Sequence, residues 1–298
     1  MTYLNGKKII TVLQKVASKD VYNNVSNPNL IINGDFKVNQ RGEFSYSNED
    51  GLIKYTVDRF KINTTHTTMV SQMSNGVSIY VEATNQYTEQ RVFEYDFENK
   101  DTENLLGKTV TFSMDIKALA GTCKFRVYMD STIVTTTNIT SAGKFVFKFT
   151  VPISGTSLKL AILNDPVELA ILVGYMKLEL GSMATANIPR PYAEELALCQ
   201  RYYQKLYLQG SALFPNSTST AYPCIKTIQT MRNSMTIKVV QNGTVRGQGA
   251  SKDVTSLTYH AYFDNMVRLF LKRTEADLVA NQIYVFGTGE IEVDAEIY

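Results

Sequence analysis

The 298-residue sequence contains no tryptophan, two histidines and three cysteines. Cys123, Cys199 and Cys224 lie far apart and form no Cys-x-x-Cys pair, which argues against a disulfide framework and a zinc site. The most apolar stretch, residues 169–173, is much shorter than the roughly 18 residues of a membrane helix. We therefore expect no membrane insertion. The net charge is only +2 and no dense basic block occurs, so we expect no nucleic-acid partner either.

What the chain does contain favours β-structure. It has 18 tyrosines and 14 phenylalanines, and such side chains suit a pleated surface with one buried face. From about residue 77 onward, apolar and polar residues alternate, and turn signals such as Asn75-Gly76 and Ala120-Gly121 separate the runs. Many short antiparallel strands with one apolar face are typical of a two-sheet sandwich. The sequence therefore predicts an all-β fold built on an antiparallel jelly-roll sandwich.

The alternation stops at Pro189-Arg190-Pro191, after which apolar residues from Tyr192 to Leu206 recur at helical spacing. Strand-like runs return after Gly210 and continue to the end of the chain, which predicts a second, smaller β-sandwich. The expected organisation is an N-terminal attachment arm at 1–25, a jelly roll at 26–190, a linking helix at 191–208 and a C-terminal β-domain at 209–298.

The N-terminal arm has its own pattern. Ile9, Leu13 and Val16 could line one helical face with lysines around them, and the same stretch could equally add as a strand to a partner. About 25 residues are too few to bury a core of their own. We therefore expect this arm to dock onto another protein through Ile9, Leu13 and Val16.

Two stretches carry a family resemblance. The first runs Asn29-Leu30-Ile31-Ile32-Asn33-Gly34-Asp35-Phe36, followed by Asn39-Gln40-Arg41-Gly42 and Tyr55-Thr56-Val57-Asp58-Arg59-Phe60. The second runs Lys177-Leu178-Glu179-Leu180-Gly181-Ser182-Met183-Ala184-Thr185, followed by residues 190–203 with Cys199-Gln200-Arg201-Tyr202-Tyr203. In this order they resemble tail-fibre and baseplate-associated proteins of tailed bacteriophages. The resemblance implies a jelly roll like a carbohydrate-binding module, then a helix and a terminal β-domain that is often trimeric.

The chain departs from that family at two positions. Asn39 and Phe60 stand where the family often carries tryptophan. These positions would therefore offer a weaker aromatic platform for stacking on a sugar. We also expect Arg59 to bond carboxylates or carbonyls of neighbouring strands, because a buried charge is rarely left without a partner.

Catalytic motifs are missing from the sequence. It has no Gly-x-Ser-x-Gly elbow, phosphate-binding loop, dinucleotide fingerprint or His-Glu-x-x-His pair, so we expect a non-enzymatic protein without a cofactor. The one acidic group of interest is Glu94, Asp96 and Glu98, which would share a strand face about 7 Å apart. That spacing could suit a glycosidase pair or a Ca²⁺ site, and a solvated acidic face is the simpler interpretation.

Glycan binding would require exposed aromatic side chains beside polar groups. The candidates on the polar faces of the predicted strands are Tyr80, Tyr128, Tyr262 and Tyr284. Each of them could equally be ordinary surface or subunit-interface material.

The resemblance and the missing motifs together predict a non-enzymatic virion protein of a tailed bacteriophage, made in the cytoplasm of the bacterial host. We expect a tail-fibre or baseplate component, a homotrimer, which binds other virion proteins through the arm and contributes to recognition of host cell-wall or capsule glycan. Two alternatives stay open. One is a head-attached fibre or decoration protein, and the other is a stand-alone carbohydrate-binding adhesion module.

Overall fold

The computed structural model of the chain describes residues 26–47, 53–64, 67–82, 89–164, 168–213, 215–232, 235–247, 251–263, 265–275, 278–279 and 282–296. The predicted arm, with Ile9, Leu13 and Val16, lies outside the described residues. The described chain forms two compact units. Unit 1 contains the described residues up to Asn39 and Glu43–Tyr192, and unit 2 contains Gln40–Gly42 and the described residues from Ala193 onward.

Unit 1 has twelve strands and one helix among its described residues. They are β1 (Ser45–Ser47), β2 (Lys54–Tyr55), β3 (Phe60–Asn63), β4 (Thr68–Met73), β5 (Gly76–Val81), β6 (Gln90–Asp96), α1 (Asn99–Leu105), β7 (Thr109–Ala120), β8 (Cys123–Met129), β9 (Thr132–Ile139), β10 (Gly143–Thr150), β11 (Leu158–Asn164) and β12 (Leu169–Leu180).

The strands of unit 1 form two six-stranded antiparallel sheets. Sheet A has the order β1-β4-β5-β12-β7-β10, and sheet B has the order β2-β3-β6-β11-β8-β9. One face of each sheet contributes to a common apolar core. Phe112 of sheet A stacks on Phe125 of sheet B with ring centroids 4.0 Å apart, so the sheets pack face to face. The predicted antiparallel all-β sandwich is confirmed.

The family motif residues Arg59 and Phe60 are both buried at the start of β3 and both lie beside the ring of Tyr95. Phe60 is fully buried and stacks on Phe93 at 4.8 Å, so an aromatic residue at this position belongs to the core and is not available to a sugar. Arg59 is also buried, and its Nη2 donates a 2.7 Å hydrogen bond to the carbonyl oxygen of Asp96. The expected role of Arg59 as a bridge between neighbouring strands agrees with this contact.

Unit 2 contains one helix and nine strands among its described residues. They are α2 (Tyr192–Cys199, whose first residue belongs to unit 1), β13 (Tyr203–Tyr207), β14 (Ala212–Leu213), β15 (Thr220–Ala221), β16 (Cys224–Lys226), β17 (Thr236–Arg246), β18 (Ser251–Asp253), β19 (Ser256–Phe263), β20 (Met266–Lys272) and β21 (Tyr284–Asp294). Sheet C has the order β13-β21-β17-β18 with β14 beside β21, and sheet D has the order β15-β20-β16 with β19 beside β20. A second apolar core draws on both sheets, as expected for a smaller sandwich.

Helix α2 is shorter than the predicted 191–208. It ends at Cys199, and residues 203–207 form β13, which pairs with β21 over five residues. Lys205 contributes an ion pair to Glu290 at 2.8 Å in this pairing. Pairing in the sheet therefore overrides the helical spacing of Tyr203 and Leu206. Neither described helix has the length and apolar character required to cross a membrane.

Candidate functional site

The second family motif forms a buried polar network on the outer face of β12. Lys177 and Glu179 are almost completely buried, and Nζ of Lys177 lies 3.3 Å from Oε2 of Glu179. Thr185 connects them, because its hydroxyl accepts a 2.8 Å bond from Lys177 and its backbone N–H donates a 2.8 Å bond to Glu179. Nζ of Lys177 also donates to Ser26 Oγ and to the carbonyl of Ala186. The motif therefore holds residues 185 and 186 against the sheet.

The first family motif packs beside the same strand. The side-chain amide of Asn29 bonds to the backbone of β12 as a neighbouring strand would. Its Oδ1 accepts a 3.1 Å bond from the N–H of Leu178, and its Nδ2 donates a 2.9 Å bond to the carbonyl of Met176. Arg190 donates to the carbonyls of Asn29 and Ile31. These contacts give Asn29, Lys177 and Glu179 an architectural role at β12.

A groove of about 670 Å³ opens on sheet A of unit 1. This volume is within the range of roughly 300–1,000 Å³ that is typical of small-ligand sites. The most exposed large hydrophobic side chain along it is Phe44, at 77%; Met73 is about half exposed and Tyr175 is half-buried. The lining residues are Asp35, Phe36, Lys37, Phe44, Gln72, Met73, Ser74, Asn75, Gly76, Asp115, Lys117, Gly174, Tyr175, Asn187 and Pro189.

Close backbone approach shapes the floor of the groove. Gly76 has φ +147°, and a Cβ on it would lie 2.0 Å from the carbonyl oxygen of Val173, so a larger residue would push β5 away from β12. The pairing of β12 with β7 is irregular between Leu172 and Tyr175, which interrupts the alternation of faces and places Tyr175 in the groove. Nε2 of Gln72 donates a 2.7 Å bond to the carbonyl of Phe36 and fixes the opposite wall.

Two ion pairs supply the polar groups of the groove. Lys37 lies 2.8 Å from Asp35, and Lys117 lies 2.6 Å from Asp115. Burial raises the pKa of the Tyr175 phenol, and the nearby charge of Asp115 raises it further. The phenol is therefore a neutral hydrogen-bond donor at ordinary pH. Aromatic faces beside carboxylate, ammonium and amide groups match a ligand with both apolar faces and many hydroxyls.

The structure places two of the predicted tyrosines on the surface of unit 1, on different sheets. Tyr80 is on the outer face of sheet A, where a hydrogen bond to Glu168 raises its pKa. Tyr128 is on the outer face of sheet B, with the guanidinium carbons of Arg91 and Arg126 at 5.4 and 6.0 Å from its ring centroid. The two tyrosines therefore belong to separate surfaces, and neither lines the groove.

The other two predicted tyrosines lie in unit 2. Tyr262 packs against the second core and donates a 3.1 Å bond to Asn265. Tyr284 is only 1% exposed; its hydroxyl donates to Gln282 and accepts from the N–H of Val279. The sequence predicts Tyr284 on a polar strand face. In the structure this prediction is wrong, because Tyr284 of β21 points into the second core. Phe44 and Tyr175 are not among the aromatic residues predicted from the sequence. The one sequence signal for Tyr175 is the break in alternation at Gly174.

The acidic trio is divided by the end of a strand. Glu94 and Asp96 share the outer face of β6 and are buried, and Nζ of Lys61 lies 3.3 Å from Glu94 and 2.7 Å from Asp96. Glu98 lies beyond the strand, at the N-cap of α1. The two strand carboxylates thus do not form a solvated acidic face. Within the described part of the chain, no group of three or more His, Cys, Asp or Glu residues could hold a metal, so the structure does not bring Glu94, Asp96 and Glu98 together as the Ca²⁺ site that their spacing could suit.

Neither a family model nor a curated protein matches the sequence. Among solved structures, the CBM22-1–CBM22-2 tandem domain of Xyn10C from Paenibacillus barcinonensis matches 91% of this chain and 98% of its own, with 11% identity and a TM-score of 0.32. The CBM22-1–GH10 modules of Clostridium thermocellum xylanase 10B with xylohexaose match 55% of this chain and 30% of their own, with 14% identity and a TM-score of 0.28. Accessory secretory proteins 1, 2 and 3 of Streptococcus pneumoniae match 49% of this chain and 95% of theirs, with 11% identity and a TM-score of 0.28.

Proposed function

We propose that unit 1 is a non-catalytic glycan-binding module that takes an oligosaccharide in the groove on sheet A. The observation that carries this proposal is the combination of the exposed ring of Phe44, the half-buried phenol of Tyr175 and the ion-paired groups of Asp115 and Lys117 along one groove of about 670 Å³. Sugar rings stack their apolar C–H faces on aromatic side chains, and their hydroxyls bond to carboxylates and ammonium groups.

A glycan array of bacterial cell-wall and capsule oligosaccharides, probed with the full chain, tests this proposal. The strongest binder is then measured by titration calorimetry against Phe44→Ala and Tyr175→Ala. One aromatic contact contributes roughly 0.5–1.5 kcal/mol, so each variant should weaken binding by up to about tenfold. The matched control is Tyr207→Ala, which removes a 66% exposed aromatic from unit 2 and should leave the affinity unchanged.

The alternative surfaces are separated by two further variants. If Tyr80→Ala or Tyr128→Ala abolishes binding while Phe44→Ala does not, the ligand lies on an outer sheet face and the groove assignment is wrong. Absence of binding to every glycan on the array would contradict the proposal for unit 1 as a whole.

We infer the biological setting from the sequence resemblance across residues 29–203. The protein would be a component of the virion of a tailed phage, in the tail fibre or the baseplate, with the arm at 1–25 docked on other virion proteins. A head-attached fibre with the same binding chemistry is the second candidate. A particle map that locates residues 1–25 distinguishes the two, and mass photometry tests the homotrimer, since a stable monomer at micromolar concentration would contradict it.

A further inference from the structure

Three buried charged residues meet on the outer face of sheet B. Lys61 of β3 lies directly opposite Glu94 of β6, and Asp96 follows Glu94 on the same face. Their exposed fractions are 2%, 0% and 1%. Nζ of Lys61 lies 2.7 Å from Oδ2 of Asp96 and 3.3 Å from Oε1 of Glu94. An amine, a carboxyl group and a second carboxylate are therefore in contact and shielded from water.

The surroundings hold the three groups in this geometry. Nη1 of Arg91 pairs with Oε2 of Glu94 at 2.8 Å, and Nδ2 of Asn63 donates to Oε1 of Glu94 at 3.3 Å. Lys159 of β11 lies opposite Asp96, with its Nζ 3.6 Å from Oδ2. The ring of Tyr55 lies 5.8 Å from Nζ of Lys61. Glu94 is thus fixed by three cationic or amide neighbours, whereas Asp96 is bound on one oxygen.

The other oxygen of Asp96 has no such support. Oδ1 is buried and has no hydrogen-bond partner among the described residues. A buried carboxylate with one unbonded oxygen carries a large desolvation cost, because charge taken from water needs compensation at every lone pair. A neutral amide oxygen in the same place would cost less.

We propose that Lys61 and Asp96 condense to an intramolecular isopeptide bond, with Glu94 as the general acid–base. One proton of the Lys61 ammonium passes across the 2.7 Å contact to Oδ2 of Asp96, which leaves a neutral amine and a neutral acid. Nζ then attacks Cγ of Asp96 to form the C–N bond. Glu94 takes the second proton from Nζ and delivers it to Oδ2, the Cγ–Oδ2 bond breaks, and water leaves. Oδ1 becomes the amide oxygen and Glu94 is again a carboxylate.

The bond would join β3 to β6 covalently. Cys123, Cys199 and Cys224 are all free thiols, whereas an amide between side chains requires no oxidant and forms in a reducing cytoplasm. It would stop the two strands from separating under mechanical tension. This inference is independent of the proposed glycan binding, since none of the three residues lines the groove.

Mass spectrometry of the purified full chain tests the bond directly. The expected result is an intact mass lower than the sequence mass by one water, together with a branched proteolytic peptide that joins Lys61 to Asp96. The full sequence mass in the folded wild-type chain would overturn the proposal. Fragmentation that places the branch on Glu94 or on Lys159 would also overturn it, and the wild-type measurement does not depend on any variant folding.

Two variants then test the assigned roles. Glu94→Gln keeps the size of the side chain and removes the base, so the folded variant should show the full mass; a mass still lower by one water would refute the role of Glu94. Lys159→Met is the matched control, because it removes the other ammonium beside Asp96 and should keep the branched peptide. Loss of the branch in Lys159→Met would assign the nucleophile to Lys159 and overturn the role of Lys61.

Discussion

The buried pair of Lys177 and Glu179 offers the sharpest test of the stability of unit 1. Both side chains are at most 1% exposed, and Lys177 Nζ also donates to Ser26, Thr185 and Ala186. Replacing Lys177 by Met keeps most of the side-chain volume and leaves Glu179 as a buried charge with only the Thr185 bonds. Removing one partner of a buried ion pair costs about 3–5 kcal/mol, a large fraction of the roughly 5–15 kcal/mol that stabilises a typical domain.

Urea unfolding followed by far-UV circular dichroism measures this effect on the full chain. We expect Lys177→Met to lower the unfolding midpoint of unit 1 without a change in the denaturant slope, and the transition of unit 2 serves as an internal control. The double variant Lys177→Met/Glu179→Met removes both charges and should recover most of the lost stability. A loss below about 1 kcal/mol in the single variant, or no recovery in the double, would refute the assignment of this pair as a buried and coupled unit.

Three further predictions concern other parts of the chain. Gly76→Ala should lower the melting temperature and weaken glycan binding, because a Cβ there would lie 2.0 Å from the carbonyl oxygen of Val173; unchanged binding would show that β5 adjusts without moving the groove. Hydrogen bonds from the backbone and hydroxyl of Thr156 lower the pKa of Asp130. At neutral pH the wild type should therefore have a higher melting temperature than Asp130→Asn, and this difference should disappear as the pH falls through the lowered pKa of Asp130. A difference in melting temperature that is constant with pH would contradict that cause. Tyr284→Ala should cost about 3–5 kcal/mol in the urea transition of unit 2, with glycan binding by unit 1 unchanged, and a loss of binding would contradict the separate roles of the two units.

The predicted strands were accurate where one face is buried and the other is polar. Cys123, Phe125, Val127 and Met129 alternate along β8, and all four face the core. Such alternation reports which face meets the opposite sheet, so it can be read locally. The helical spacing from Tyr192 to Leu206 was correct only as far as Cys199, because the pairing of β13 with β21 involves residues almost ninety positions apart, and no local pattern contains that partner.

The acidic trio shows the same limit for a candidate site. The sequence placed Glu94 and Asp96 correctly on one strand face, and this follows from the two-residue period alone. It could not show that Lys61 lies opposite them, since the register of β3 against β6 depends on the whole sheet. The interpretation as a solvated acidic face is therefore wrong, because the face is a buried ion cluster. The proposed amide bond depends on Lys61, the residue that the local pattern does not show.

The sequence by itself determined the all-β class, the antiparallel strands and the change in organisation near Pro191, because these depend on periodicity, turn residues and proline chemistry within short windows. Only the tertiary structure decided which side chains share a site. Phe44 and Tyr175 meet along a groove because a strand irregularity and Gly76 bring distant segments together. Tyr284 is lost from the surface because sheets C and D enclose it. Contacts between residues far apart in the chain depend on strand register and sheet packing, and these are properties of the whole folded unit.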